Sequence, residues 1–370
     1  MNKKFLASAL ILAGLLCAAD QAQANEVKLG PSKLKSYGID VKNAHIDRIS
    51  HDGTFIIMHQ KNTPEKLKEG LGHVCFAIHI NPFNNEVQSV RSYEVPAASW
   101  EYVIDTKDEK DLIIVTKGGA TFLKLNFETG DISTLHEHVA GESGFRGFPP
   151  IMRMVDGEIF IGGYFHNEED LSDVDCTATL DPTKTGVDAF DRVWDYQGTV
   201  VKLNPQALAF TKTDMAFFAS DDMAGDAHMY LWNPPEIEKP MEFDSGKSIL
   251  CMWGAKDRVI YSIQRKDGTY DLMVYDGKTK EKFFVDKGAK DMYANVFMSA
   301  DGDTVLFTDT GNRIKRAGYY YADSQNGWKL TPVYDFHGKT RLFGEIRISD
   351  DGSKFIIKNS EGLTIADVKN

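Results

Sequence analysis

Short apolar runs alternate with polar turns along nearly the whole chain. The runs are "TFIIMH", "DLIIVT", "EIFIGG", "MAFFAS", "RVIYSI", "TVLFTD" and "KFIIKN". All are rich in β-branched and aromatic residues and bounded by Gly, Asp, Asn or Lys. Few windows place apolar residues at i, i+3, i+4 and i+7, so helical periodicity is nearly absent. The pattern predicts an all-β protein of many short strands. One helical exception is "TPEKLKEGL", where Thr63 followed by Pro64 reads as a cap and a first helical position.

Each run follows a polar turn centred on an acidic residue: Asp52, Asp108, Asp156, Asp214, Asp257, Asp301 and Asp351, spaced 43 to 58 residues apart. Self-similarity at that period marks a propeller with one four-stranded antiparallel sheet per repeat. Seven turns predict seven blades. "FLKLNFETGDISTL", "LMVYDGKTKEKFFV" and "CFAIHINPFNNEVQSV" supply third and fourth strands joined by a tight turn. The last repeat has room for three strands only: "LFGEIRIS", "KFIIK" and "LTIADV". "EVKLG" near the N-terminus is the expected fourth, which would close the ring and cover an open edge.

Three turns are clear relatives: "SHDGTFII", "SADGDTVLF" and "SDDGSKFII". They resemble the repeat of TolB-type and related WD-like β-propellers. That resemblance implies the fold, with Ser-x-Asp-Gly in the hairpin between a blade's first two strands. It implies far less about activity. Asp binding amides two residues on, and Gly accepting positive φ, suit such a hairpin better than catalysis.

Residues 1–24 read as a signal peptide: basic "MNKK", apolar "FLASALILAGLL" and small-x-small "AQA", with cleavage after Ala24 and a single mature domain over 25–370. Cys17 lacks the small preceding residue of a lipoprotein signal. The expectation is a periplasmic or secreted protein without membrane insertion. The formal net charge is −12, one more negative without residues 1–24, which disfavours nucleic acid and anionic lipid. Of three remaining cysteines, Cys75 and Cys251 sit in strand-like runs and read as buried. Cys176, in a polar stretch, is the candidate reactive or bridging thiol.

G-x-S-x-G, Walker, H-E-x-x-H and C-x-x-C signatures are absent. Candidate chemistry therefore falls on loops opposite the Ser-x-Asp-Gly hairpins. "AGESGFRGFPPIMRM" offers Phe145, Arg146 and Phe148, an arginine among aromatics suited to a carboxylate or a partner; packing on the neighbouring blade is the plainer alternative. Trp100, Glu101, Tyr293, Asn295, Arg341 and Glu345 join them as binding candidates. The acidic stretch 166–198 reads as a long insertion. Its Asp170, Asp173 and Asp175 would suit calcium, although their spacing departs from the EF-hand loop and a solvated flap explains them as well. "HEH" (His136–His138) is a zinc cue without a third ligand, better explained by an outer solvated strand.

The leading expectation is an exported binding or scaffold protein holding a protein or peptide partner of the cell envelope on its loop face, with no catalytic residue and no obligatory cofactor. The alternatives are an accessory, large-chain-like subunit of a periplasmic redox enzyme, and a metal-dependent hydrolase or lactonase with a site at the central channel.

Overall fold

The computed structural model describes residues 26–368 except 109, 156, 196–215, 222–224, 233–240, 291–292, 310–317 and 336–343. The proposed signal peptide lies outside the described residues. Seven antiparallel sheets follow one another: sheet 1 (44–95), sheet 2 (102–137), sheet 3 (144–195), sheet 4 (216–246), sheet 5 (248–289), sheet 6 (294–335) and sheet 7 (345–367 with 26–29). Within each, strands pair in chain order, as period-2 alternation and short turns dictate.

Six sheets are four-stranded, where seven four-stranded blades were expected; sheet 4 has three strands. "MAFFAS" was read as the second strand of its repeat, yet Ala216–Asp221 is the first described strand of sheet 4. The segment ahead of it, 196–215, is outside the described residues. Sheet 7 combines both chain regions: Glu26–Leu29 pairs antiparallel with Gly362–Asp367, from Glu26 opposite Ala366 to Leu29 opposite Leu363.

Cores lie between sheets rather than within them, the packing of a propeller. Leu34, Ile46, Ile78, Ile356 and Ile365 join sheets 7 and 1. Ile57, Cys75, Ile114 and Leu125 join sheets 1 and 2, and Ile113, Phe122, Phe145 and Phe190 join sheets 2 and 3. Ile260, Val274, Val305 and Phe307 join sheets 5 and 6; Leu306, Tyr319, Ile346 and Ile357 join sheets 6 and 7. Sheet 4 packs on sheet 5 through Phe243 stacked on Tyr275 at 3.9 Å. The neighbours therefore run 3-2-1-7-6-5-4.

The Ser-x-Asp-Gly turns sit in the hairpins between first and second strands, as the repeat implied. Ser299 Oγ donates to Asp301 Oδ1 at 2.5 Å and accepts from Thr304 N at 2.9 Å, while Asp301 accepts from Asp303 N at 2.9 Å. Ser349 and Asp351 repeat this with Lys354 N and Ser353 N. Ser50 and Asp52 do so with Phe55 N and Thr54 N. The three serines are buried. Gly53, Gly302 and Gly352 have φ of 73°, 75° and 68°, the left-handed region where a Cβ is penalised. Thr106 and Asp108 form the same pair at 2.7 Å in the degenerate "TKDE".

Three sequence expectations change. The acidic insertion is not a loop: Ser172–Leu180 and Phe190–Asp195 are the third and fourth strands of sheet 3. Cys176, Ala178 and Leu180 alternate inward beneath the acidic residues that obscured the period. Cys176 is consequently fully buried rather than exposed in a loop. "GFRGFPPIMRMV" is likewise the first strand of sheet 3, with a register shift between Gly147 and Met152. The short helix was expected: Pro64–Lys68 has Lys66 N donating to Thr63 Oγ1 at 3.5 Å. No described helix is long and apolar enough to cross a membrane.

Candidate functional site

The first strands of sheets 1 (Ala44–Ile49), 2 (Tyr102–Asp105), 3 (Gly144–Val155), 5 (Ser248–Ala255), 6 (Ala294–Met298) and 7 (Glu345–Ile348) surround a common cavity of about 270 Å³. Its walls include Asp47, Arg48, Glu101, Tyr102, Met154, Trp253, Phe297, Arg347 and Asp350. Contributions from six sheets identify it as the axial channel. A side chain two residues before the hairpin serine projects into it from three blades: Arg48 before Ser50, Phe297 before Ser299, and Arg347 before Ser349.

Toward the hairpins the charges are mutually satisfied. Arg48 Nε lies 2.8 Å from Asp105 Oδ1, and Nη2 lies 2.9 Å from Asp350 Oδ2. Asp105 Oδ2 accepts from His51 N at 2.7 Å, and Asp350 Oδ2 meets His51 Nδ1 at 3.1 Å. Burial works against the Arg48 cation, yet Asp105 and Asp350 outweigh it and raise its pKa. Asp105 is fully enclosed, so burial lifts its pKa despite Arg48. Asp350 is less enclosed; Arg48 and His51 together overcome its burial and hold its pKa down. The hydrogen bond to Asp350 raises that of His51.

Toward the other end, Asp47 is held by His59 Nδ1 at 2.9 Å and by Trp100 Nε1 at 3.0 Å. The Trp100 ring stacks on His59 with centroids 4.7 Å apart. Glu345 accepts from Ile46 N at 2.7 Å and contacts His45 Nδ1 at 2.8 Å, with Lys358 Nζ at 3.5 Å.

Arg347 differs from these. Its Nε donates to Asp47 O and its Nη1 to Ile346 O, each at 2.8 Å, and its guanidinium lies 4.9 Å from the Phe297 ring centroid. Among the described residues no carboxylate stands within ion-pair distance of it. Burial, only partly offset by the more distant Asp47 and Glu345, lowers its pKa. Trp253 continues the aromatic wall, 5.3 Å from Phe297 and anchored by Nε1 donating to Met298 O. A guanidinium with spare donors beside partly buried aromatic rings is suited to bind a planar anion.

The residues singled out from sequence divide around this channel. Trp100, Glu101 and Glu345 stand at or beside it; Glu101 also accepts from Gly118 N at 3.2 Å. Arg146 donates to Gly118 O at 3.1 Å, between sheets 2 and 3. Phe145 is fully buried in the core between those sheets, so its ring is not presented to a partner. Tyr293 is also buried, its hydroxyl donating to Asp286 Oδ2 at 2.7 Å. Asn295 is exposed with φ of 50°. Arg341 and the Phe148 side chain lie outside the described residues.

Asp170 accepts from Ser172 N and Oγ, and Asp173 contacts His166 Nδ1 at 2.7 Å; the Asp175 side chain is outside the described set. No three His, Cys, Asp or Glu among the described residues converge as a metal site. His136 is buried, its Nε2 2.7 Å from Phe145 O, rather than on a solvated face. Sequence reasoning missed Arg48, Arg347, Asp47, Asp105 and Asp350. The signal for the two arginines was the repeated "RIS" that runs into two of the hairpins.

No family model and no curated protein sequence matches the chain. Solved structures do. An oligogalacturonate lyase from Vibrio parahaemolyticus aligns at 9% identity over 94% of this chain and 98% of its own, with a TM-score of 0.52. A mitotic checkpoint complex chain aligns at 14% identity over 94% and 96%, also at 0.52. TolB from Acinetobacter baumannii aligns at 10% identity over 93% and 84%, at 0.40. At these identities the first two likenesses establish a shared propeller architecture and leave function to the site.

Proposed function

We propose that this chain is an exported β-propeller binding protein that holds a protein or peptide partner at the mouth of its axial channel. The observation that carries the reading is Arg347: among the described residues of the channel wall, the other cation, Arg48, is paired with two carboxylates, whereas Arg347 has none. A partly buried cation gains most from an incoming anion, because its desolvation is already met in the unliganded fold. Trp100 and Glu101 at the same end provide an aromatic and a polar rim. The binding reading is preferred to a metal-dependent hydrolase because the channel carboxylates are engaged by neighbouring donors and no three His, Cys, Asp or Glu among the described residues converge. We further read the ring as seven-bladed, with sheet 4 as one of its blades.

Photo-crosslinking tests the reading. A benzophenone amino acid at the exposed Glu101 should trap a discrete partner in intact cells, and the same group at exposed Glu281, on the outer strand of sheet 5, should not. Equal trapping at both positions, or none at Glu101, would overturn it.

A further inference from the structure

We infer that the channel takes a single carboxylate attached to an aromatic or long apolar group, with the carboxylate on Arg347 and the apolar part against Phe297 and Trp253. This inference rests on the binding reading and names the chemistry of its ligand. Three observations converge. The guanidinium has donors left after its two carbonyl contacts, and its planar fork matches a carboxylate. It stands at the edge of an aromatic wall, 4.9 Å from Phe297, which is itself 5.3 Å from Trp253. An anion on Arg347 therefore carries its attached group along those rings. The cavity of about 270 Å³ accommodates one large side chain and its carboxylate, not a folded domain or an oligosaccharide.

Charge sharpens the selection. Three acidic residues, Asp47, Glu101 and Asp350, line the same cavity against Arg48 and Arg347. Arg48 is already occupied by Asp105 and Asp350. Among the described residues, one incoming negative charge finds one available cation; a second would face carboxylates. Phosphate esters and dicarboxylates are disfavoured by this arrangement, and an amide or ester of the same ligand would leave Arg347 unsatisfied.

The chemistry has two sources: a free small acid and the C-terminal residue of a polypeptide. Calorimetric titration of the mature protein distinguishes them. The probes are N-acetylphenylalanine, its amide, a ten-residue peptide ending in free Phe, the same peptide amidated, and inorganic phosphate. The free acids should bind at least tenfold more tightly than the amides, and phosphate should not compete. Arg347→Met should abolish the acid-over-amide difference. Arg347→Lys, which keeps the charge but loses the fork, should reduce it; a melting curve confirms that each variant is folded. A peptide acid tenfold tighter than the small acid assigns the polypeptide source, and equal affinities assign the free acid. Equal binding of acid and amide, binding of phosphate alone, or an undiminished difference in folded Arg347→Met would overturn the inference. If Glu101 crosslinks persist under any of those results, the binding function survives and only the ligand class fails. If they are absent too, both fail.

Discussion

Replacing Arg48 by Met tests the charged end of the channel most directly. The substitution keeps an apolar stem of similar length and removes the cation between Asp105 and Asp350. Asp350 retains His51, but Asp105, with no exposed side-chain surface, is left with backbone amides, that of His51 on its other oxygen among them. Orphaning a buried charge costs about 3–5 kcal/mol. Protonation of Asp105 sets a ceiling: holding neutral at pH 7 a carboxyl that ionises near 3.9 when unfolded costs about 4 kcal/mol, at about 1.4 kcal/mol per pH unit. The deficit of the variant relative to the parent should therefore shrink as pH falls from 7 toward 5, by at most about 1.4 kcal/mol per unit, and by less where Asp105, whose pKa burial already raises in the parent, also takes up a proton. Urea unfolding at pH 7, 6 and 5 measures this. Arg48→Met/Asp105→Asn, which removes the orphaned charge as well, should recover most of the loss. A deficit below about 1 kcal/mol at pH 7, or one that does not change with pH, would refute the account of a buried carboxylate dependent on Arg48.

The hairpins and the chain-end strand make further expectations. Ser299→Ala removes the acceptor for Thr304 N and the donor to Asp301, and should cost about 1–2 kcal/mol in urea unfolding. Gly352→Ala should cost more, since φ is 68° and a Cβ would lie 2.6 Å from Thr304 Oγ1; equal or smaller loss would contradict the steric reading. Deleting residues 26–29 uncovers the edge of Gly362–Asp367 and should lower the melting temperature, so an unchanged value removes the pairing from the stability account. The His51 imidazole should titrate above 6.5 by NMR and move back toward that value in Asp350→Asn. Its contribution to stability is complete below about pH 6.5 and is lost as pH rises through its folded pKa; with its side chain 40% exposed, that contribution is small.

Much of the architecture was legible because strand structure is written locally. "TFIIMH", "TVLFTD" and "KFIIKN" carry their own β-propensity, and each hairpin serine and aspartate acts on amides within five residues. Legibility failed where one signal masked another. The acidic residues of 166–198 hid the alternation of Cys176, Ala178 and Leu180, and two strands read as a flap. Phe145, between glycine and arginine, and Tyr293, two residues before Asn295, looked available from the sequence; only packing against the adjoining sheet shows them to be core.

The channel shows the same division. "DRIS" and "IRIS" place Arg48 and Arg347 at equivalent positions, so sequence alone determined that two arginines stand two residues before a hairpin serine and face the same way. It could not determine that one is neutralised and the other is not. Asp105, 57 residues from Arg48, and Asp350, 302 residues away, reach it because sheets 2 and 7 flank sheet 1. Among the described residues Arg347 meets backbone carbonyls and Phe297, because the carboxylates nearest it, Asp47 and Glu345, are held by His59, Trp100 and His45. Strand and turn are set by interactions within a few residues, which a sequence displays. Charge pairing falls off over ångströms in space, and that separation is settled only when the blades pack around their axis.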